Sequence, residues 1–525
     1  MKIQVNFQTQ REIDGYPATG EQNAVADAFD QSQEPIRVQA LAGTGKTTTL
    51  KLLAKYCNLG KAYYFAFNRS IRDEAKREFP KSVQCVTFHQ LAFRNSRDFL
   101  NGRVLGELRF KDIRGILNRN LVKQCQGEYL ANGLTISFIK KTLNRFYDSA
   151  DHGVDTHHVP QYELRTALRR IMAVTEDDLE MARINREAKE RSNYISQAAQ
   201  SVWEAVQSGD TQVSHSAYLK HFQLQKEAII ADTILVDEAQ DLNAVMLDII
   251  ETAQDAGARV IWVGDSNQQI YAWRGAVDAL EKMEGQELSL QTSFRFGQEI
   301  ADGANRVLNL LQSPYKLIGM GPEEQPYDQY AQTAYLFRTN IGLLDYLTKT
   351  PGMVGTETYV EGGVSGMIDL LDSLEGVKNG EPWKVKSSLL QGLNWESMLE
   401  EADENPDLKR VLRITDQGDQ ELIDHYRGML NAIGNNSARS RNVLSTAHKS
   451  KGCQWKQVIL GDDFPPHTDT DGAPKPVSSE ELRLIYVAMT RGRQYIQIPQ
   501  NLRTFLGLDT EHPHGVSPAA DPQGS

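Results

Sequence analysis

Chemistry enters this chain at Ala40–Thr48, where A-L-A-G-T-G-K-T-T follows a short apolar run. Two glycines, a lysine and consecutive hydroxyls at this spacing can hold a chain of phosphates. Gly43 and Gly45 permit backbone conformations and a close approach that a side chain would block. Successive N–H groups of Ala42, Gly43, Thr44 and Gly45, with those of Thr47 and Thr48 in the first helical turn, can then point at phosphate oxygens. Lys46 is spaced to reach the β- and γ-phosphates, and the Thr47 hydroxyl to ligate Mg²⁺. The strict G-x-x-x-x-G-K-[ST] pattern is modified at one position, where Ala40 replaces the first glycine.

A second concentration of reactive groups lies at Ile234–Asp241, I-L-V-D-E-A-Q-D. An apolar strand there ends in two carboxylates, the place where open α/β sheets present ligand-handling groups. Asp237 suits Mg²⁺ bound through water opposite Thr47, and Glu238 suits orientation or deprotonation of an attacking water. A third segment, V-G-D-S-N-Q-Q-I-Y-A-W-R-G-A over Val263–Ala276, sets Gln268 where it can sense a γ-phosphate. Tyr271 and Trp273 follow in a stretch without the period of a core helix. Aromatics beside a nucleotide site can stack single-stranded bases, at about 1–3 kcal/mol per base.

The elements needed to position these groups alternate in the manner of a parallel sheet covered on both faces. A capped amphipathic helix is expected at Thr19–Phe29, strands at Lys61–Phe67 and Gln84–Thr87, and a polar helix at Ser70–Phe79. From about 95 to 209 the strand rhythm stops and the sequence reads as a mostly helical insertion. Between residues 101 and 170 it carries 12 basic and 7 acidic residues. Strands return at Thr233–Val236 and Arg259–Val263. A second set is expected at Ala334–Phe337, Val443–Thr446, Gln457–Leu460 and Tyr495–Ile498, interrupted by an acidic, helical stretch at 351–436.

The 525 residues fit about three or four domains, and no apolar run approaches the roughly 18 residues of a membrane span. The first residues lack the apolar core of a secretory signal. Cys57, Cys85, Cys125 and Cys453 form no C-x-x-C pair and read as reduced thiols. His152, His157 and His158 sit in a polar loop without cysteine partners, which makes a metal site there the minor reading. With 57 basic and 69 acidic residues the formal charge is −12, so binding to a polyanion must come from a local track rather than bulk charge.

Taken in order, Gln22, AGTGKT, AFNRS, TFHQLA, VDEAQD, GDSNQQIYAWRGA, SFRF, STAHKSKG and EELRLIYVAMTRGR resemble the motif series of UvrD/Rep/PcrA-type superfamily 1 DNA helicases. The resemblance covers residues 18–500. AFNRSI, TFHQLAF, TLNRFYDSAD and HSAYLKHFQL are most similar to the helicase core of the eukaryotic F-box DNA helicase, and no F-box-like segment is expected ahead of the core. The resemblance implies two RecA-like P-loop motor domains with mostly helical accessory insertions. Their boundaries are expected at 1–94 and 210–285 for the first motor and 95–209 for its insertion. The second motor is expected at 286–350 and 437–506 with a smaller insertion at 351–436, and a disordered tail at 507–525.

It also implies roles residue by residue, with ATP and Mg²⁺ in a cleft between the motors. Gln22 reads the adenine edge and Phe294, where the family often has tyrosine, stacks on the base. Lys46, Glu238, Gln268, Arg295 and Arg491 act on the phosphates, while Gly452 and Gln454 lie near the nucleotide. Gln454 stands where glutamate is usual. Phe67, Asn68, His89, Tyr271, Trp273 and His448 contact DNA; AFNRS is one residue shorter than the commoner TFTNK form. Gly362–Gly363 matches a glycine pair of the second accessory region. The implied partners are single-stranded DNA and its junctions with duplex, with travel 3′→5′ and no membrane. A bacterial or phage cytoplasm, or a nucleus, is the expected compartment. The small second insertion points to protein displacement as well as unwinding. Two other readings keep the same site: an ATP-gated DNA sensor in a repair or defence complex, and the motor subunit of a helicase–nuclease whose nuclease is a separate chain.

Overall fold

A computed structural model describes residues 11–103, 105–120, 133–172, 178–271, 275–381, 384–387, 389–402, 405–434, 436–437, 440–465 and 476–509. Trp273, Cys125 and the segment beyond 509 lie outside the described residues. The chain divides into two units, Met1–Gln291 with Ile368–Ile423, and Thr292–Met367 with Asp424–Ser525.

In the first unit, strands β1 (Ile36–Ala40), β2 (Ala62–Phe65), β3 (Val83–Val86), β4 (Thr233–Val236), β5 (Arg259–Gly264) and β6 (Gln286–Leu290) form one sheet in the order β3-β2-β4-β5-β1-β6. Every pairing is parallel. All strands therefore end on the same edge, and the loops after β1, β4 and β5 come together there. Along each strand the side chains alternate between two cores. Ile234, Val236, Val260 and Trp262 enter one, with Phe146 and Trp203 of the helical insertion. Leu235, Ile261 and Val263 enter the other, against Val25, Leu52 and Leu53. The insertion is thus welded to one face of the sheet through a shared core.

The capped helix expected near Thr19 is Gly20–Gln31, with a capping box in which Thr19 and Gln22 each accept from the other's backbone N–H. The expected strand Lys61–Phe67 is shorter, because Phe67 and Asn68 leave the sheet and Asn68 caps the Arg69–Glu78 helix. The stretch after residue 95 is helical as its composition indicates. It includes the helices Phe110–Asn120, Gly133–Asp148, Gln161–Met172 and the 31-residue Asp178–Ser208.

The second unit holds β7 (Thr333–Phe337), β8 (Thr358–Val360), β9 (Asn442–Thr446), β10 (Trp455–Leu460) and β11 (Gly492–Gln497), parallel throughout, in the order β8-β9-β7-β10-β11. Two expected boundaries move. Residues 286–290, assigned by sequence to the second motor, are β6 and pair along their whole length with β1 of the first sheet. The insertion placed at 351–436 contains β8, an edge strand of the second sheet. Most of the remainder, Ile368–Ile423, groups with the first unit. Gln391 donates to Ser137 Oγ at 2.8 Å and accepts from Lys141 Nζ at 2.8 Å. Hydrogen bonding and packing decide where a segment belongs, and neither is local in sequence.

Candidate nucleotide site and aromatic face

The loop after β1 takes its shape from its glycines. Gly43 and Gly45 adopt φ of 75° and 84°, and Gly45 is the left-handed N-cap of the Lys46–Tyr56 helix. A Cβ at Gly45 would lie 3.2 Å from Gln22 Nε2 and 3.4 Å from Thr48 Cβ. Gln22 therefore rests against the loop, its Oε1 held by the Thr19 N–H at 3.1 Å and its Nε2 toward Gly45. Ala42 and Thr44 are buried, and Thr44 Oγ1 donates to the Leu41 carbonyl at 2.8 Å. Lys46 Nζ donates to that same carbonyl at 3.2 Å. These glycines and the helix N-terminus form a concavity of N–H groups that suits an anion.

Thr47 Oγ1 donates to Asp237 Oδ2 at 2.7 Å, and Tyr64 Oη donates to the same oxygen at 2.8 Å. Asp237 is only 4% exposed, and Tyr64 is fully buried. Burial and the neighbouring Glu238 charge push the Asp237 carboxyl upward, against the hydrogen bonds of Thr47 and Tyr64 and the charge of Lys46. A buried carboxylate oxygen beside a threonine hydroxyl is an all-oxygen donor set of the kind hard divalent cations take, so the residues fit Mg²⁺.

Glu238 sits in the left-handed region at φ 52°, an uncommon conformation for a residue with a side chain. Its Oε2 accepts from Gln240 Nε2 at 2.6 Å, while Gln240 Oε1 accepts from the Asp265 N–H at 2.9 Å. Gln268 Nε2 donates to Asp265 Oδ2 at 2.7 Å, and Gln39 Nε2 donates to Oδ1 at 3.2 Å. A continuous chain of polar groups, buried from Gln240 onward, therefore runs from Glu238 to Gln268. A Cβ at Gly264 would lie 2.4 Å from Gln240 Oε1, so a side chain there would break it.

Beyond this network the first unit presents aromatic rings. Phe67 is 43% exposed and its ring lies 6.2 Å from that of Tyr271, at 11° between planes. Asn68 is exposed, but its Oδ1 is used in accepting from the Ile71 N–H. His89 is largely buried against His215 and Tyr218, and burial followed by the His215 charge pushes its pKa down to about 4. The ring is therefore neutral at physiological pH.

In the second unit Phe294 is 48% exposed. Arg295 Nη1 donates to the Thr490 carbonyl at 2.9 Å, and Arg491, 2% exposed, donates to the carbonyls of Val487 and Cys453. A buried arginine is unusual, and here backbone carbonyls surround it. The Ser450–Gln454 turn that supplies the Cys453 carbonyl also carries Gly452 at φ 86° and an exposed Gln454. His448, half-buried, lies in the turn after β9. Gly362 packs against its neighbour Lys449, whose Cδ would be 3.0 Å from a Cβ at Gly362.

The UvrD/REP helicase N-terminal domain matches residues 19–285, and the UvrD-like helicase C-terminal domain matches residues 394–501. The chain belongs to the UvrD/REP helicase family. It is 27% identical to F-box DNA helicase 1 of Gallus gallus over 94% of this chain and 50% of that protein. The figures for F-box DNA helicase protein 1 of Schizosaccharomyces pombe are 27%, 94% and 58%. The ATP-dependent DNA helicase PcrA of Leuconostoc citreum is 25% identical over 55% of this chain and 39% of that protein. The chain thus spans about half the length of the F-box relatives it matches.

Within this helicase-family chain the structure brings together Gln22, Gly45, Thr47, Asp237 and Glu238 in the first unit and Arg295 with Arg491 in the second. Sequence reasoning missed Tyr64, Gln39, Gln240 and Asp265. Tyr64 hides in the run K-A-Y-Y-F-A-F, which reads as an apolar strand; a hydroxyl on the buried face of such a strand is the one available signal. Asp151, His157 and His158 do converge, with His157 Nε2 2.7 Å and His158 Nε2 3.0 Å from Asp151 Oδ2. Hydrogen bonds within the loop hold that arrangement. Cys57, Cys85 and Cys453 are free thiols, and burial pushes each upward in pKa.

Proposed function

We propose that this chain is an ATP-dependent DNA helicase that moves along single-stranded DNA in the 3′→5′ direction, unwinding duplex or displacing bound protein. The observation that carries this reading is the 2.7 Å hydrogen bond from Thr47 to Asp237, which joins the phosphate loop to the strand-end carboxylate across 190 residues. Family membership and the ATP- and DNA-helicase names of the relatives support it.

In this reading the loop N–H groups from Ala42 to Thr48 take phosphate oxygens, and Lys46 exchanges the Leu41 carbonyl for the β/γ-phosphates. Thr47 and Asp237 would hold Mg²⁺, which when bound neutralises phosphate charge. Glu238, aimed by Gln240, orients or deprotonates the attacking water. Gln22 offers Nε2 to the adenine edge and Phe294 its ring face, with Gly452 and Gln454 near the sugar. Arg295 and Arg491 neutralise charge on the phosphoryl oxygens, a role worth about 10³–10⁵ in rate for arginine fingers. Gln268 senses the terminal phosphate and shares Asp265 with Gln240, so its side chain is tied to the hydrolytic carboxylate. Tyr271 follows three residues on, which gives a short physical route from nucleotide state to the strand-binding rings. Phe67, Asn68, His89, Tyr271 and His448 contact the strand. His89 contributes as a neutral donor or acceptor rather than a cation.

ATP turnover with and without single-stranded DNA tests the proposal, with Lys46→Ala as the control. Turnover in the variant should fall roughly 10²–10³-fold, the scale for losing one charge-stabilising contact. Undiminished DNA-stimulated turnover in Lys46→Ala would refute the site. Strand displacement on substrates with 3′ and 5′ tails tests direction. Stimulated hydrolysis without directional movement would transfer the reading to an ATP-gated sensor.

A further inference from the structure

The loop between the Gly133–Asp148 and Gln161–Met172 helices gathers three metal-ligating groups that the nucleotide site does not use. His157 Nε2 lies 2.7 Å and His158 Nε2 3.0 Å from Asp151 Oδ2, and the three atoms all lie within 4.8 Å of one another. Donors about 2.0–2.2 Å from a shared tetrahedral zinc stand roughly 3.3–3.6 Å apart. The observed separations bracket that spacing. Two imidazole nitrogens with one carboxylate oxygen suit first-row transition cations, whereas Mg²⁺ and Ca²⁺ take oxygen alone.

The surrounding groups fit the same role. A ligating Nε2 offers its lone pair, so the ring proton moves to Nδ1 and needs an acceptor there. For His158 that acceptor is the Asp155 carbonyl, 3.3 Å from Nδ1. For His157 it is Asp155 Oδ2, 3.8 Å from Nδ1 and within reach of a small rotation. His158 Nδ1 accepts from the Asp155 N–H at 3.0 Å, and coordination exchanges that one neutral hydrogen bond for a metal bond. The loop itself is tethered by distant helices. Lys220, fully buried, donates to the carbonyls of Asp151 and, at 2.9 Å, Ser149. Gln223 Nε2 donates to the Ala150 carbonyl at 3.3 Å, and the Val154 N–H donates to Gln200 Oε1 at 3.1 Å. The His158 ring meets Phe146 edge-on, 5.5 Å between centres. The ligands are thus held before any cation arrives. The Lys220 ammonium opposes a dication, but its hydrogen bonds are spent on the loop carbonyls. The His157 side chain is 61% exposed, which leaves a way in and room for water as a fourth ligand.

We propose that Asp151, His157 and His158 bind one Zn²⁺ ion that clamps this loop. Asp148, just ahead of it, accepts from Asn243 Nδ2 at 2.7 Å. The clamp therefore lies where the insertion meets the segment that follows Glu238. This inference is independent of the strand-binding reading.

The test is titration of the nucleotide-free full chain with Zn²⁺ against a chromophoric chelator, in excess Mg²⁺ to occupy the all-oxygen site at Asp237. One saturable site is expected, and Co²⁺ in its place should give the visible absorption of a nitrogen- and oxygen-ligated ion. His157→Ala and Asp151→Asn should each weaken Zn²⁺ binding by at least roughly 10- to 100-fold, the scale on which even the outer partners of a ligand act. Zn²⁺ should raise the melting temperature of wild type and leave that of His157→Ala unmoved. Because His157 is exposed, His157→Ala should fold and turn over Mg²⁺–ATP as wild type does. No saturable Zn²⁺ binding would overturn the proposal. So would binding that survives in both variants, or that is lost in Asp237→Asn and kept in His157→Ala, which would assign the ion to the nucleotide site.

Discussion

Replacing Tyr64 by phenylalanine removes one oxygen atom and tests how the carboxylate of the candidate metal site is held. The Tyr64 hydroxyl donates to Asp237 Oδ2 at 2.8 Å, and both residues are buried. A hydrogen bond to a charged group is worth about 1.5–3 kcal/mol, and partners that orient metal ligands typically control 10- to 100-fold in affinity. The volume change is small, and Thr47 still donates to the same oxygen at 2.7 Å. Tyr64→Phe should therefore fold, retain turnover at saturating Mg²⁺, and need roughly 10- to 100-fold more Mg²⁺ for half-maximal activity. The pH dependence has a definite sign. Burial already raises the Asp237 carboxyl and the tyrosine opposes that rise, so losing the hydroxyl raises it further. Protons then compete with Mg²⁺ up to higher pH, and the acid limb of the activity profile moves upward. In the metal-free protein the folded state holds this proton more tightly than the unfolded chain. Stability from that site is accordingly greatest at low pH and declines as pH rises toward the raised value. ATP turnover titrated with Mg²⁺ at several pH values measures all of this. A Mg²⁺ requirement and acid limb both identical to wild type would refute the argument that Tyr64 positions Asp237.

Gly45→Ala should destabilise the first unit by about 1–2 kcal/mol, the cost of a left-handed residue with a Cβ, and push Gln22 aside from 3.2 Å; thermal melting and the KM for ATP check the two effects. His89→Asn should flatten the acid sensitivity of folding. Wild-type His89 is held neutral with its pKa pushed down to about 4, so its contribution is present above about pH 6.5 and lost as pH falls toward 4. The difference is on the order of 3 kcal/mol, and urea melts at pH 7.5 and 4 measure it. Phe67→Ala should weaken single-stranded DNA binding by about 1–3 kcal/mol if its ring stacks a base; an unchanged Kd would remove Phe67 from the strand interface.

The sequence by itself determined whatever depends on neighbours along the chain. The glycines of Ala42–Thr48 dictate the loop at Gly43 and Gly45, and Thr19 with Gln22 dictates a capping box. The short continuous apolar runs dictate β4 and β5, because a strand between two cores buries consecutive side chains. The family motifs then named the pairing of Thr47 with Asp237. Only the tertiary structure decided that Tyr64, read as one more apolar strand residue, donates to that carboxylate. The reason is that β2 lies beside β4, an adjacency fixed by strand order across some 170 residues. Strand pairing likewise put Gln286–Leu290 in the first sheet, and packing grouped Ile368–Ile423 with the first unit. Burial enclosed Arg491 among backbone carbonyls and keeps His89 neutral down to about pH 4. Partners, burial and electric field come from residues far away in the chain, and no local pattern encodes them.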